Sequence, residues 1–388
     1  MPDRPRLLIV SFSPIIDDAR VMKQVRLFAG AYAVTTCGYG PQPHADVEHI
    51  ELTPPPVSSS PRRARARSLA VESLKALRLY RAAFWAAPHA RQARAALRGR
   101  RFDVAITNDI DTLLVGTSVV PLSRLHADLH EYWPKEGAAV RGYRRLAAGY
   151  YLWLCGRVAG RAASSTTVGH QIALEYQRAC GFLPAVVPNV APYHDLSPTE
   201  PGRPLRLVHA GVGAPSRGIH KLVAATLATT TDVTLDLYLM PSNPAYIEEL
   251  RTAAADSGGR VALHDPVPQS ALVDTLNGYD VGAYLLEPQT VNSRFALPNK
   301  IFDFIQARLG LIVGPSPEMA DVVRQTGVGV VTDGYTADDL TRVLDTVTPE
   351  TVARWKAASS IAARDWSAET VQHVWTDAVA AIVARPSS

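Results

Sequence analysis

The sequence predicts an α/β protein made of two doubly wound, Rossmann-like domains, each with a parallel sheet between layers of helices. Short apolar runs rich in β-branched residues alternate with helix-length amphipathic stretches along the whole chain. Such alternation is typical of parallel sheets. A proline-rich break near the middle separates two series of this pattern. The length of 388 residues also suits two domains of ordinary size better than one.

The first series opens with the apolar run Arg6–Ser11, which is followed by an amphipathic helical pattern over residues 18–29. Apolar runs of this length without polar alternation are typical of strands buried on both faces. The further strand candidates of this half are Ala33–Cys37, Val47–Leu52, Asp103–Thr107, Ala127–His130 and Ala163–Thr167.

Five prolines between residues 188 and 204 interrupt the pattern, and their density is typical of a linker. The strand candidates beyond it are Leu205–Ala210, Val233–Met240, Arg260–Leu263, Val281–Leu286, Leu311–Val313 and Val328–Val331. We therefore expect domains over residues 1–195 and 196–365, with a closing segment over 366–388. A ligand would bind in a central cleft that the two domains face, at the carboxyl ends of the strands.

The composition is that of a soluble globular protein, with 47% hydrophobic and 20% charged residues. The three cysteines fit neither a disulfide framework nor a zinc site, which indicates a reducing compartment. The N-terminus lacks a secretory signal pattern, and no stretch approaches the ~18–20 apolar residues needed to span a bilayer. We expect a cytoplasmic protein that can sit on the inner face of the membrane.

The segment Arg62–Arg101 holds many basic residues and a single acidic one, Glu72. Its helical, basic and partly aromatic character favours contact with an anionic membrane surface. The alternative is a solvated helix face beside an apolar core stripe. Nucleic acid is not an expected partner, because the positive charge is local and no nucleic-acid-binding module is recognisable.

A glycine-rich turn follows the strand candidate Leu205–Ala210. Gly211, Gly213 and Gly218 lie in this turn, ahead of a helical pattern, with Arg217 among them. Backbone amides and the positive end of a helix dipole favour a phosphate, and arginine adds a forked donor. The spacing is not the dinucleotide fingerprint, and such glycines can also serve only a steric need.

A second motif stands about 90 residues later, at Leu297-Pro298-Asn299-Lys300. Pro298 suits the start of a helix. Lys300 and Asp303 lie one turn apart on one face of that helix, while Ile301, Phe304 and Ile305 would face the core. The alternative for Lys300 and Asp303 is an ordinary surface ion pair.

Taken together, these motifs resemble those of retaining GT-B glycosyltransferases of family 4, whose donor site carries an ALPNK-type signature. The resemblance extends to Ser11–Gln24, to Asp128–Glu131 and to Asp365–Ser367, in the order that the family shows. It implies the GT-B architecture, with a last helix that returns to the N-terminal domain.

The resemblance implies that Arg217 and Lys300 contact the donor diphosphate and supply catalytic charge. Asp303 would bind the ribose hydroxyls, and the stretch that contains Asp265 and Val267 would lie beside the nucleobase. The full implied donor set is Gly211, Gly213, Arg217, Gly218, Asp265, Val267, Leu297, Pro298, Asn299, Lys300 and Asp303.

His130 would lie near the transferred sugar as a further catalytic residue, although a strand-end histidine with satisfied hydrogen bonds is the alternative. The candidate acceptor-binding residues are Ser13, Arg20, Asp109 and Glu131. Asp109, like Asp111, could instead cap the next helix, and capping is the interpretation that we favour.

Two positions depart from the family pattern. Many relatives have an arginine where this chain has Val212, and many have a glutamate where it has Phe295. Glu287 is acidic but out of register with that glutamate.

The expected activity is transfer of a hexose-type sugar from a nucleoside-diphosphate sugar to an acceptor hydroxyl, with retention. UDP or GDP is the expected carrier, and the acceptor would be a glycan, a glycolipid or other lipid-linked acceptor, or a small molecule. The histidines are scattered and no metal-binding cluster is evident, and the resemblance implies an enzyme that works without a divalent ion, so we expect neither a cofactor nor a metal. Fixed cations would stabilise the departing diphosphate. The alternatives are a nucleotide-sugar epimerase and a catalytically silent nucleotide-sugar-binding protein.

Overall fold

The computed structural model describes residues 4–54, 61–135 and 143–386, without the side chains of 61–64, 66–67 and 143–146. Arg62, Arg63 and Arg67 of the basic segment are among the side chains outside that description. The chain forms two compact units. Unit 1 contains the described residues up to Pro188, Thr290–Asn292 and those from Gln372 onward, and unit 2 contains Asn189–Gln289 and Ser293–Val371.

Unit 1 is built around a parallel sheet of seven strands among the described residues, in the order β3-β2-β1-β4-β5-β6-β7. Its elements are β1 Arg6–Pro14, α1 Ala19–Phe28, β2 Ala33–Tyr39, β3 Glu48–Leu52, α2 Pro61–Ala76, α3 Tyr80–Ala86, α4 Pro88–Ala96, β4 Val104–Asn108, α5 Leu113–Gly116, β5 Leu125–Leu129, α6 Tyr143–Arg157, β6 Ser164–Thr167, α7 His170–Cys180 and β7 Ala185–Val186. The strand order reverses between β1 and β4.

Unit 2 has a parallel sheet of six strands in the order β10-β9-β8-β11-β12-β13. Its elements are β8 Leu205–Gly213, α8 Ile219–Ala228, β9 Val233–Pro241, α9 Pro244–Ala255, β10 Val261–His264, α10 Gln269–Leu276, β11 Val281–Tyr284, α12 Asn299–Gln306, β12 Gly310–Val313, α13 Pro317–Thr326, β13 Gly329–Val331, α14 Ala337–Leu344, α15 Pro349–Ala362 and α16 Ala368–Val371, while the short helix α11 Val291–Arg294 is divided between the two units. The order reverses between β8 and β11, and a ligand of an open α/β sheet binds at such a point.

The expectation of two doubly wound parallel sheets is confirmed, and every strand candidate overlaps an observed strand. The central strands β4 and β5 are buried along their whole length, which explains their unbroken apolar patterns. β7 was not predicted, because its two residues carry no readable period.

The proline-rich segment is packed on unit 2 and does not run free. The Arg308 side chain is 1% exposed, and its guanidinium donates to the carbonyl oxygens of His194 (2.6 Å) and Leu196 (3.1 Å). Unit 2 therefore begins at Asn189, seven residues before the expected boundary at 196.

The last helix, α17 (His373–Val383), belongs to unit 1. Its Trp375 is 1% exposed, and the indole Nε1 donates to Thr166 Oγ1 on β6 at 3.3 Å. Trp366, by contrast, stacks on Phe302 within unit 2. The chain thus enters unit 1 again at Gln372 and not at 366. No helix among the described residues has the length and apolar character to cross a membrane.

Candidate active site

The glycine-rich turn lies where β8 ends and α8 begins. Gly218 has a left-handed φ of +66°, and a Cβ there would stand 3.1 Å from the Leu285 carbonyl oxygen. A Cβ at Gly213 would stand 2.4 Å from Ile247 Cδ1. Both glycines therefore meet a steric need of the turn.

Several amides at this turn already have acceptors within the protein. The Gly218 N–H donates to the Pro215 carbonyl at 3.1 Å, and the His220 N–H donates to the Tyr246 hydroxyl at 2.9 Å. A phosphate bound here would therefore depend chiefly on side-chain cations, and less on these amides than the motif alone suggests.

Arg217 and Lys300 supply those cations. Arg217 is exposed at the end of the turn. Lys300 lies in the first turn of α12, and its Nζ is 3.1 Å from Asp303 Oδ2, with the lysine side chain 20% exposed and the aspartate 2%. Because Asp303 is buried, the alternative of an ordinary surface ion pair is wrong for these two residues.

His209 is a buried histidine whose pKa is affected by both cations. It lies on β8 beside Tyr284 of β11, with the rings stacked at 5.6 Å, and its Nδ1 is 3.0 Å from the Ala283 carbonyl oxygen. Burial, with smaller contributions from the charges of Lys300 and Arg217, lowers the pKa of His209 to about 4. The charges of both cations therefore act on one ring, which lies on β8 next to β11, where the strand order of unit 2 reverses.

The same contacts define the state of His209. A neutral ring that donates through Nδ1 to a carbonyl leaves Nε2 as an acceptor. Nε2 lies 3.7 Å from the place where a Cβ of Gly211 would stand, so it faces the glycine-rich turn. Sequence reasoning missed this residue; the available signal was a histidine next to the end of an apolar run, directly before that turn.

The depressed pKa of His209 predicts a pH dependence of stability. An unfolded histidine takes up a proton near pH 6.5, whereas the folded one does so only near pH 4, so stability is lost as the pH falls between these values. At pH 4 the contribution of His209 should be lower by about 3 kcal/mol. Urea unfolding of wild type and His209→Gln from pH 7.5 to 4 measures this, and a constant difference between the two proteins would contradict it.

The remainder of the second motif is arranged around α12. Leu297 is buried, Pro298 is the N-cap residue just ahead of the helix, and Asn299 is exposed. Ile301, Phe304 and Ile305 are each 0% exposed in the core, as predicted.

The predicted nucleobase stretch follows β10, two strands away from β8. His264 stacks on Tyr238 at 4.7 Å, and its Nε2 is 3.0 Å from Asp236 Oδ1. Asp265 is exposed, and Val267 is half-buried against the core. Two strand spacings place this stretch roughly 10 Å from His209.

In unit 1 a buried network surrounds Asp128 at the end of β5. Arg20 donates to both of its carboxylate oxygens, at 2.8 and 2.6 Å, and to the Val187 carbonyl at 2.6 Å. Gln24 and Thr166 also donate to this carboxylate, each at 2.7 Å. Burial alone would raise the pKa of Asp128, but Arg20 and His130 outweigh it and hold the pKa well below its ordinary value.

This network corrects one expectation. Arg20 is 3% exposed, and its guanidinium is engaged by the oxygens of Asp128 and Val187. An acceptor could contact it only by breaking a buried ion pair, so we assign Arg20 to holding Asp128 and not to binding an acceptor.

His130 lies at the rim of the network, with its side chain 21% exposed. Its Nε2 is 3.2 Å from Asn108 Oδ1 and 3.5 Å from Asp128 Oδ2. Burial lowers its pKa, but the carboxylates of Asp128 and Asp109 outweigh burial, and the net pKa is raised. The ring is thus a partly exposed, proton-retaining group at the carboxyl end of the sheet.

Asp109 follows β4 and caps the short turn Ile110–Thr112, because its Oδ1 accepts from the Ile110 N–H at 3.1 Å. The same oxygen accepts from the Trp133 indole N–H. Burial raises the pKa of Asp109, and burial also raises that of Asp111, to about 7. The favoured alternative of capping therefore describes the contacts of Asp109.

Ser13 and Glu131 lie at the ends of β1 and β5. The Ser13 hydroxyl donates to Asp18 Oδ2 at 2.8 Å, and Asp18 caps α1. Glu131 is exposed, and its carbonyl oxygen accepts from the Tyr176 hydroxyl. Within the described part of the chain, no group of three His, Cys, Asp or Glu side chains could hold a metal ion.

No protein-family model matches the chain, and no curated protein matches its sequence. Solved structures do match its fold. One is Anabaena HepE in complex with UDP-glucose, at 14% identity and a TM-score of 0.66, covering 97% of this chain and 100% of that one. Another is sucrose-phosphate synthase from Thermosynechococcus elongatus, at 14% identity and a TM-score of 0.68, with the same coverage.

A third is WaaG, a glycosyltransferase involved in lipopolysaccharide biosynthesis, at 10% identity and a TM-score of 0.63, covering 95% of this chain and 99% of that one. These similarities agree with the two parallel sheets and their strand orders. The fold is GT-B. In this GT-B chain, His209 lies at the reversal point of the second sheet, and His130 stands at the carboxyl end of the first.

Proposed function

We propose that this protein is a glycosyltransferase that moves a hexose-type sugar from a nucleoside-diphosphate sugar to an acceptor hydroxyl, with retention of anomeric configuration. The observation that carries the proposal is that Arg217 and Lys300, from the two motifs, both act electrostatically on His209, which lies on β8 where the strand order reverses. The family 4 motifs and the GT-B fold support the same assignment.

Glycosyl transfer from a nucleoside diphosphate depends more on electrostatic stabilisation of the leaving group than on covalent catalysis. As the sugar departs, negative charge builds on the diphosphate, and fixed cations lower the barrier by stabilising it. Arg217 can bind two phosphate oxygens through its fork, while Lys300 adds a compact charge held by Asp303. We propose that these two side chains do the work that a divalent ion would do, so that turnover needs neither a metal nor a cofactor.

Asp303 is proposed to bind the ribose, and the Asp265–Val267 stretch to lie beside the base. The Asp265–Val267 stretch lies roughly 10 Å from His209, and this distance leaves room for a ribosyl diphosphate between them. HepE was solved with UDP-glucose, which supports UDP as one of the two expected carriers, UDP and GDP. His209 Nε2, a neutral acceptor facing the turn, is proposed to accept a hydrogen bond from the donor.

Unit 1 is proposed to bind the acceptor. Ser13 and Glu131 stand at the carboxyl ends of its strands, and His130 is proposed to contact the sugar or the acceptor hydroxyl. Its raised pKa favours a protonated ring that can donate a hydrogen bond. We place the protein in the cytoplasm, where nucleotide sugars are available to it.

Nucleotide binding tests the donor site directly. At 100 times its Kd, the correct nucleoside diphosphate should stabilise the protein by about 2.7 kcal/mol, which raises Tm by roughly 5–10 °C. Thermal unfolding with UDP, GDP, ADP, CDP and dTDP should give this rise with one nucleotide. The rise should shrink in Arg217→Ala and Asp303→Ala but persist in Arg324→Ala, an exposed arginine of α13.

Turnover then separates the alternatives. Transfer to an acceptor, or slow donor hydrolysis, supports the glycosyltransferase. Conversion of the nucleotide sugar to an epimer in the absence of any acceptor would indicate an epimerase. Donor binding with neither reaction would indicate a catalytically silent binding protein. The first explanation would then be that this chain has Val212 where many relatives have an arginine. No Tm change with any nucleotide would overturn the donor site itself.

A further inference from the structure

A cavity of about 690 Å³ in unit 1 has an arginine-rich wall that the proposed function does not use. Arg98 and Arg100 precede β4, and Val119 precedes β5, so the cavity lies at the amino ends of these strands. The candidate acceptor residues follow the carboxyl ends. The five residues of β4 separate the two edges by roughly 16 Å.

Three guanidinium groups share one side of α4 and its extension. Arg91, Arg94 and Arg98 have the spacing i, i+3 and i+7, which puts them on one helical face. Like charges at this spacing repel each other. No carboxylate among the described side chains comes within ion-pair distance of any of the three. Arg100 on the same wall is different, because it pairs with Glu48 at 2.7 Å.

Part of the wall is held in place before any ligand arrives. The Arg94 guanidinium lies over the Trp85 ring, 4.7 Å from its centre. Leu97 between the arginines is 1% exposed and anchors the end of the helix in the core. Gly99, with a φ of +78°, turns the chain back at this point. An oriented guanidinium loses less freedom when it forms hydrogen bonds.

We propose that this cavity binds a phosphate-bearing anion. Arginine forks match phosphate oxygens bidentately, and an anion would relieve the repulsion among Arg91, Arg94 and Arg98. The cavity is larger than a phosphate ion needs, and the ring of Trp85 with the side chain of Val119 offers apolar surface for the organic part of an ester. The phosphate could come from a soluble phosphate ester or from a phospholipid headgroup.

The test is binding of inorganic pyrophosphate and of vesicles to the full chain. Arg217→Ala should be the background protein, because it weakens phosphate binding at the donor site. Titration calorimetry then measures pyrophosphate, and sedimentation measures phosphatidylglycerol–phosphatidylcholine vesicles against pure phosphatidylcholine. Losing a charge-assisted hydrogen bond costs about ten-fold in affinity or more. The variant Arg91→Gln/Arg94→Gln/Arg98→Gln should therefore bind at least ten-fold more weakly to whichever probe, pyrophosphate or anionic vesicles, the background protein binds.

The matched control is Arg26→Gln/Arg324→Gln/Arg354→Gln, which removes the same charge from exposed positions outside the cavity. Its affinity should stay within about two-fold of the background protein, because exposed charges interact weakly. Pyrophosphate binding that only the cavity variant loses supports a soluble ligand. Vesicle binding that only this variant loses supports a headgroup, and with it the expected membrane contact.

Two results would overturn the proposal. One is a background protein that binds neither probe, and the other is binding that both triple variants weaken equally. The site stands apart from the proposed glycosyl transfer, so a failure here leaves the donor site unaffected. A thermal unfolding transition measured without ligand is the control that each variant is folded.

Discussion

Arg217→Ala and Lys300→Ala are each expected to lower kcat by about 100- to 1,000-fold, the usual cost of removing one group that stabilises charge in a transition state. The reason is the proposed role of both cations at the donor diphosphate, whose departing charge they would stabilise together; in the structure the charges of both lower the pKa of His209. Because that charge is larger in the transition state than in the bound donor, kcat should fall more than KM rises.

Initial rates of nucleoside-diphosphate release, with the donor found by thermal unfolding, measure this effect. Arg217→Lys should keep part of the activity, since it retains charge but loses the fork. Lys221→Ala is the matched control. Lys221 lies on α8 close to the turn, but its Nζ is bound to Glu287 at 2.5 Å, so its loss should change kcat less than about three-fold, in the range of an exposed pair. Near-normal activity in Arg217→Ala and Lys300→Ala would contradict the proposed role of both cations.

Arg20→Met is expected to lower the free energy of unfolding by about 3–5 kcal/mol, the usual cost of breaking a buried ion pair from one side. The substitution leaves the Asp128 carboxylate buried, 0% exposed, without its bidentate partner. Arg6→Met is the matched control in the same unit. Arg6 faces Asp103 at 3.9 Å with side chains 54% and 45% exposed, and such pairs contribute about 1 kcal/mol or less.

The pH dependence distinguishes this explanation from simple loss of packing. In the wild type the pKa of Asp128 is held low, so the network stabilises the fold at neutral pH and weakens as the pH falls through that pKa. In Arg20→Met the carboxyl should take up a proton more readily, which relieves its burial. The difference between the two proteins in urea unfolding should therefore narrow from pH 7.5 to pH 4.5.

A double-mutant cycle with Asp128→Asn completes the test. If the two residues act as a pair, the double variant should be destabilised by less than the sum of the single variants. A sum of independent effects, with the same loss at every pH, would show that Arg20 contributes through packing alone.

The second motif shows how far the residues alone can lead. The apolar spacing of Ile301, Phe304 and Ile305 requires one face of a short helix to be buried. Pro298 must precede that helix because it cannot sit inside it. Both constraints are local, and the structure has the buried apolar face of α12 and Pro298 directly ahead of that helix. What the spacing could not decide was whether Asp303 faced water, and its burial follows from the way α12 packs in unit 2.

The residues missed or reassigned share one property, since their surroundings come from distant parts of the chain. His209 is defined by Ala283 and Tyr284 on a neighbouring strand, more than 70 residues away. Arg20 is defined by Asp128, 108 residues along the chain. In both cases the residue type permits several roles, and only the packed neighbours select one.

The sequence by itself determined the two parallel sheets, the order of their strands along the chain and the two motifs of the proposed donor site. Hydrophobic period, proline and glycine act over a few residues, so they can be read without knowing the fold. The tertiary structure alone decided that Arg20 is a buried partner of Asp128, that His209 is buried against Tyr284 and Ala283, and that four arginines line one cavity. Charge, burial and pKa depend on which strands and helices meet, and that is set only when the chain folds.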